Sequence, residues 1–334
     1  MAEVVLHSDG QIGVSQEGDY WCRGRRGNPV YYTDYSDVIS IKKTVRNRPA
    51  VTLHPNWPEV YSRETITLKC EIPGEDTEWD YEWATSSSHQ PPNQNEYKIN
   101  SVSTSHHGHY WCKGRMRSAQ QNSTMWSASF QLKIVYKPHP VLTVSPSWLS
   151  PGASVTLNCE VEHPSAGWSF YWYKAVPDLK TYSYEYYIYE LLPDGNGTAQ
   201  DSYIIHGQTN TAGYVCRAGR GDPEYQTDYS ETVFVWSGDL NSTASLTVSP
   251  NSVQHFIYDS VTLNCSGNSS QWRVMTFTQD GYLRELRECG NGRIMTESTC
   301  NIYLHRYHWY QDPVSWCESE SGQFSNGINI TACC

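Results

Sequence analysis

The chain has 334 residues and a formal charge of −11, and it is rich in Trp (13) and Tyr (25) but poor in Phe (6) and Met (5). No apolar run approaches the ~18 residues of a membrane helix, and no long Lys/Arg run supplies the basic footprint that a phosphate backbone requires, so nucleic acid is excluded as a partner class. Eleven cysteines spread through a Ser-, Thr- and Tyr-rich chain without CxxC pairs point to disulfides and an oxidising compartment.

The first ten residues, MAEVVLHSDG, carry Glu3 and Asp9 and no basic-then-apolar segment, which is not a signal-peptide pattern. Together with the cysteines, this leads to the expectation that both ends of a longer secretory-pathway protein lie outside the sequence. The first recognisable element is Gly18-Asp19-Tyr20-Trp21-Cys22, which has no partner cysteine upstream. It recurs as Gly108-His109-Tyr110-Trp111-Cys112, Ala212-Gly213-Tyr214-Val215-Cys216 and Pro313-Val314-Ser315-Trp316-Cys317. Each of the last three copies is preceded by a second repeated element: Thr65-Ile66-Thr67-Leu68-Lys69-Cys70, Ser154-Val155-Thr156-Leu157-Asn158-Cys159 and Ser260-Val261-Thr262-Leu263-Asn264-Cys265. A Val/Leu-Thr-Leu/Val run and a Pro (Pro55, Pro146, Pro250) precede each of these. Residues 23–41 also match residues 217–235. The chain therefore divides into a half unit at 1–46 and full units at 47–136, 137–237 and 238–334.

Within each second element the residues alternate, with Val155, Leu157 and Cys159 on one side and Thr156 and Asn158 on the other, as in a strand with one buried face. Short alternating strands, frequent turn signals and a Cys…Trp…Cys frame predict an all-β protein of tandem immunoglobulin-like β-sandwiches, each with an inter-sheet disulfide. The pairs are Cys70–Cys112, Cys159–Cys216 and Cys265–Cys317. Trp83 and Trp172 follow the first cysteine of their pairs at the same distance, where an indole packs on the bridge. Tyr110 and Tyr214 stand two residues before the second cysteine, where a hydroxyl can tie the strand to the preceding corner. The last unit departs from this pattern: Ser315 replaces the Tyr, and Trp272 comes sooner after Cys265. Cys289 and Cys300 flank the turn Gly290-Asn291-Gly292 and read as an extra local bridge. Cys22, Cys333 and Cys334 are left over; the terminal pair reads as stalk thiols, free or intermolecular, since a secreted chain does not meet a prenyltransferase.

The segments YWCRGRRG, YWCKGR, LTVSPSWLSPGASVTLNCEV and AGYVCRAGRGDPEYQTDYS resemble the ectodomains of Fc receptor-like proteins, leukocyte receptors with C2-type immunoglobulin domains. The resemblance runs from about Gly10 to Thr331. It implies the extracellular ligand-binding region of an immune cell-surface receptor, on the external side of the plasma membrane, attached through segments absent from this sequence. It also implies a protein ligand, with immunoglobulin Fc as one candidate. In the Fc receptors, ligand is met by the B–C, C′–E and F–G loops. Here those are residues 163–167, 193–197 and 219–225, and the last supplies the ligand-binding candidates Arg220, Asp222, Pro223 and Tyr225. The alternatives are a cell-adhesion protein, including integrin contact through Arg220-Gly221-Asp222 in an exposed hairpin, and a truncated soluble decoy.

Sequons at Asn122, Asn196, Asn241, Asn268 and Asn329 fit a glycosylated surface; the sequon at Asn264 adjoins a cysteine expected to be buried. His106, His107 and His109 read as solvent-exposed loop histidines rather than metal ligands. The Tyr-dense residues 182–189 read as a contact strand or a packed edge. No GxSxG, HExxH or P-loop pattern occurs, and no unpaired cysteine lies beside a motif histidine. The sequence thus predicts no enzyme, no catalytic or metal site, no cofactor and no small-molecule substrate.

Overall fold

The computed structural model describes residues 4–6, 12–14, 18–41, 48–73, 78–117, 123–150, 152–162, 167–179, 186–239, 243–251, 255–278, 281–286, 289, 295, 297–304, 313–330 and 332–333. Two compact units result, Met1–Tyr136 and Lys137–Cys334. Among the described residues the regular elements are β-strands, apart from a 3₁₀ turn at Thr104–His106 and the 3₁₀ residue Cys289. The all-β, tandem-sandwich architecture is as the alternation predicts.

The first sandwich has a back sheet in the order Glu96–Ile99, Ile66–Glu71, Ala50–His54 and a front sheet in the order Trp79–Thr85, Gly108–Met116, Phe130–Leu132. Alternation decides which side chains enter the core. Ile66, Leu68 and Cys70 are buried, whereas Thr67 and Lys69 between them stay partly exposed. The second sandwich repeats the plan, with a back sheet of Val141–Ser145, Val155–Glu160 and Ser202–Ile205. Its front sheet runs Tyr187–Leu191, Ser169–Pro177, Ala212–Arg220, and both Tyr225–Gln226 and Val233–Val235 pair with the last of these. The third has Ala244–Ser249, Ser260–Gly267 and Thr299–Tyr303 behind, and Leu283–Glu285, Trp272–Phe277, Val314–Ser319 and Ile328–Asn329 in front.

Disulfides Cys70–Cys112, Cys159–Cys216 and Cys265–Cys317 join back sheet to front sheet, and Cys289–Cys300 forms within the third sandwich. Trp83 and Trp172 lie directly across the front sheet from Cys112 and Cys216 and are buried. The hydroxyl of Tyr110 donates to the carbonyl of His106 at 2.7 Å, and that of Tyr214 donates to Gln208 Oε1 at 2.7 Å, so both close the corner before their strand. The third sandwich reaches the same core by another route. Val274 takes the position across from Cys317. Trp272, two residues earlier and so on the same face, brings the indole into the core.

One local device appears in all four copies of the repeat. The amide of the second cysteine donates to a serine hydroxyl on the returning strand: Cys22 to Ser36 at 3.1 Å, Cys112 to Ser127 at 3.0 Å, Cys216 to Ser230 at 3.0 Å and Cys317 to Ser325 at 2.8 Å. Each hydroxyl passes its own proton to the next carbonyl, of Asp37, Ala128, Glu231 and Asn326. The serine thus supplies the acceptor that the interrupted ladder lacks. In residues 18–41 this device holds paired strands, Gly18–Tyr20 with Ile39–Ile41 and Arg25–Arg26 with Tyr31–Tyr32. Their aromatic and aliphatic side chains stay outside: Trp21 is 56%, Tyr31 79% and Val38 60% exposed, and Cys22 is a free, exposed thiol.

Candidate ligand-binding site

The turn after Ala212–Arg220 is the part of the second sandwich to which the sequence assigns ligand contact. Gly221, with φ of +83°, makes the reversal that a β-carbon would strain, and Gly221 to Glu224 are exposed. Asp222 and Pro223 therefore stand at the tip, and Tyr225 is half-buried. Arg220 is not the exposed anchor expected. It is 3% exposed, with its guanidinium 4.6 Å from the centroid of Trp168, whose ring lies 6.4 Å from that of Tyr225. Trp168 belongs to the segment leading into Ser169–Pro177, so the contact that buries Arg220 is remote in sequence. On the flank of the turn, the Tyr171 hydroxyl donates to Glu224. Burial, with that carboxylate added, pushes the Tyr171 phenol up to about 12. The turn is held from beneath and from the side, with its tip free.

Of the neighbouring loops, residues 163–166 lie outside the described residues. In residues 193–197, Asn196 is exposed. Asn268 and Asn329 are exposed too, Asn264 sits within a back-sheet strand beside buried Cys265, and Asn122 and Asn241 lie outside the described residues. His106 is buried and stacked on His89 at 4.2 Å, whereas His107 and His109 are exposed. Cys333 ends a short strand, Ala332–Cys333, and Cys334 lies outside the described residues. Of the Tyr-dense segment, residues 182–185 lie outside the described residues and Tyr187 is buried.

That burial has a cause the sequence does not announce: the front sheets of the second and third sandwiches pack face to face. Ala175, Tyr187, Phe234 and Trp236 of the one and Met275, Val314, Trp316 and Phe324 of the other form one apolar cluster. At its edge lies an ion pair between Arg273 and Glu318, whose side chains are 1% and 0% exposed. Glu318 also accepts from the Tyr187 hydroxyl at 2.8 Å and from Trp316 Nε1 at 2.9 Å. Arg273 donates to the carbonyls of Tyr186 at 3.0 Å and Asp178 at 3.3 Å. Every polar group named here has a partner, which a buried charge requires. The charge at position 318 carries no sequence signal of this, since a charged residue directly follows the second cysteine in every copy: Arg23, Lys113, Arg217 and Glu318.

Residues 48–129, the first sandwich, match the family model for the immunoglobulin domain. This supports an immunoglobulin-superfamily protein. Tandem immunoglobulin-like sandwiches with several disulfides point to an extracellular or secreted setting and to a binding or receptor-type role. No helix among the described residues is long and apolar enough to cross a membrane. Among solved structures, the three N-terminal domains of the bacteriophage RB49 Highly Immunogenic Outer Capsid protein (Hoc) are similar over 86% of this chain and 100% of that one, at 11% identity and a TM-score of 0.39. No curated protein matches the chain.

Proposed function

We propose that this immunoglobulin-superfamily chain is the ligand-binding region of an Fc receptor-like immune cell-surface receptor. It is a binding module and not an enzyme, acts in cell-surface receptor signalling and the immune response, and takes a protein ligand, with immunoglobulin Fc as the first candidate. The observation that supports this reading is the clamped turn of the second sandwich. Arg220 stacked on Trp168, and Tyr171 bonded to Glu224, fix a loop whose tip stays exposed. A loop ordered before its partner arrives loses less entropy on binding. The integrin alternative fares worse, because the Arg220 guanidinium lies beneath the tip and is not presented beside Asp222.

The test is surface-plasmon binding of a panel of immunoglobulin classes to the wild-type chain and to an Asp222→Ala/Pro223→Ala variant. Binding by the wild type, weakened at least ~10-fold in the variant, supports the reading; that factor corresponds to about 1.4 kcal/mol. An immunoglobulin-binding chain whose affinity ignores the tip would move the site elsewhere, and no binding to any class would remove Fc as the ligand.

A further inference from the structure

The front sheets of the first and third sandwiches align position for position about their core-facing pairs, and their outward residues correspond. Trp83 faces Cys112 across the strand pair as Val274 faces Cys317, and one step along, Ala84 faces Trp111 as Met275 faces Trp316. Trp126 precedes the tying Ser127 as Phe324 precedes Ser325. A cross-strand ion pair follows in both, with its signs exchanged: Arg273 with Glu318 in the third sandwich, Glu82 with Lys113 (2.9 Å) in the first.

In the third sandwich this pattern is covered by the second, and Trp316 is 0% and Phe324 6% exposed. In the first it is open. Trp126 is 37% and Met125 63% exposed, and with Trp111 they line an open groove of about 620 Å³. The pattern that docks in one part of the chain is thus repeated, uncovered, in another, with an aromatic centre of the kind that dominates interface energetics.

The exchanged signs select the occupant. The second sandwich offers Arg273 two carbonyl oxygens, and offers Glu318 a hydroxyl donor. Against the first sandwich the same groups would set carbonyls before the Glu82 carboxylate and a donor before the Lys113 ammonium, which rejects a face of that kind. The first sandwich's own face is the match. Glu82 and Lys113 lie side by side, so a two-fold rotation brings each Glu82 opposite the Lys113 of the other copy and closes groove upon groove. We propose that the front sheet of the first sandwich docks on the same sheet of a second copy of this chain, forming a two-fold homodimer.

Sedimentation velocity on the full chain, over a range of concentrations and without immunoglobulin, tests this independently of ligand binding. The samples are wild type, Trp126→Asp, Glu82→Lys, Lys113→Glu, and an equimolar mixture of the last two. The wild type should dimerise, and each variant alone should dimerise at least ~10-fold more weakly. The mixture should regain wild-type affinity, because each introduced charge then meets its opposite across the two-fold. Unchanged melting temperatures confirm that the variants fold, and Met125→Asp replaces any that does not. A wild type that stays monomeric at its highest soluble concentration overturns the proposal. So does association indifferent to Trp126→Asp, which would assign it to the exposed strands of residues 18–41. Loss without rescue in the mixture also overturns it, and would give the face to a different partner.

Discussion

Glu318→Ala is the substitution that most severely tests the packing of the second and third sandwiches. It removes a carboxylate that is 0% exposed and leaves Arg273, 1% exposed, with two backbone carbonyls as its named acceptors. It also takes the acceptor from the Tyr187 hydroxyl and from Trp316 Nε1. Removing one partner of a buried ion pair costs about 3–5 kcal/mol. Each donor left unsatisfied would add about 1–3 kcal/mol if it stayed dry, but relaxation and water entry recover part of that, so we expect a loss of about 4–5 kcal/mol. Glu318→Gln keeps an acceptor for the two neutral donors and should cost roughly half as much. The pair Arg273→Met with Glu318→Leu removes both charges together but still leaves the Tyr187 hydroxyl and Trp316 Nε1 without their acceptor, so it should cost about 2–3 kcal/mol, less than Glu318→Ala alone. The assay is guanidinium denaturation of the full chain. Hydrogen exchange at Val314–Ser319 assigns the transition, since a chain of several domains does not unfold in one step. A loss below ~1 kcal/mol for Glu318→Ala would refute the buried pair and the face-to-face packing with it.

Arg220→Ala should lower the melting temperature by removing the guanidinium from beneath the turn, at a cost of about 1–2 kcal/mol, whereas Asp222→Ala should leave it within ~0.5 kcal/mol; thermal denaturation separates the two. Tyr110→Phe deletes the 2.7 Å bond to the His106 carbonyl and should destabilise the first sandwich by about 1–1.5 kcal/mol in denaturant titration. Burial, reinforced by neighbouring His89 and partly offset by a hydrogen bond with the Ser103 backbone, lowers the His106 pKa. Its folded-state pKa therefore lies below its unfolded one, and stability should decline as pH falls below ~6.5; His106→Gln should flatten that decline. At the basic end, burial and then Glu318 raise the Tyr187 phenol well above its usual range, and burial raises Tyr110 and Tyr214. Their contribution is complete below ~10 and lost as pH climbs past it, which spectrophotometric titration of tyrosinate should show as ionisation coincident with unfolding.

The sequence was most legible where structure is local. Val155, Leu157 and Cys159 announce their face by alternation alone, and Trp83, Trp172, Tyr110 and Tyr214 keep fixed offsets from cysteines because one disulfide and one pleat set their geometry. The Thr-x-Tyr/Trp-Ser pattern at residues 33–36, 124–127 and 227–230 is equally regular, but its role is not legible, because a serine reads as a turn residue until its hydroxyl is seen meeting a cysteine amide. Non-local contacts were not legible. Arg220 looked like an exposed turn residue because the ring that covers it, Trp168, arrives from another strand. Tyr187, Phe234 and Trp316 occupy outward positions of their strands, and alternation places such residues in solvent. It cannot report that a second sheet lies there.

The unusual balance of aromatic residues follows from those outward positions. A sandwich core needs one indole against its disulfide, which Trp83, Trp172 and Trp272 supply. Trp111, Trp126, Trp236 and Trp316 lie instead on or beside front faces, two under a neighbouring sheet and two in the open groove. Trp and Tyr serve a face that must be wet before docking and dry afterwards, because each carries a polar atom that water or a partner can satisfy. Trp316 shows the dry end of that range, with its N–H held by Glu318. Phe lacks such an atom, and two of the six, Phe234 and Phe324, lie where the covering is already built into the chain. On this reasoning, replacing Trp126 by Phe should preserve the groove's shape yet lower the solubility of the undocked chain, whereas Phe324→Trp should be opposed by close packing within the cluster.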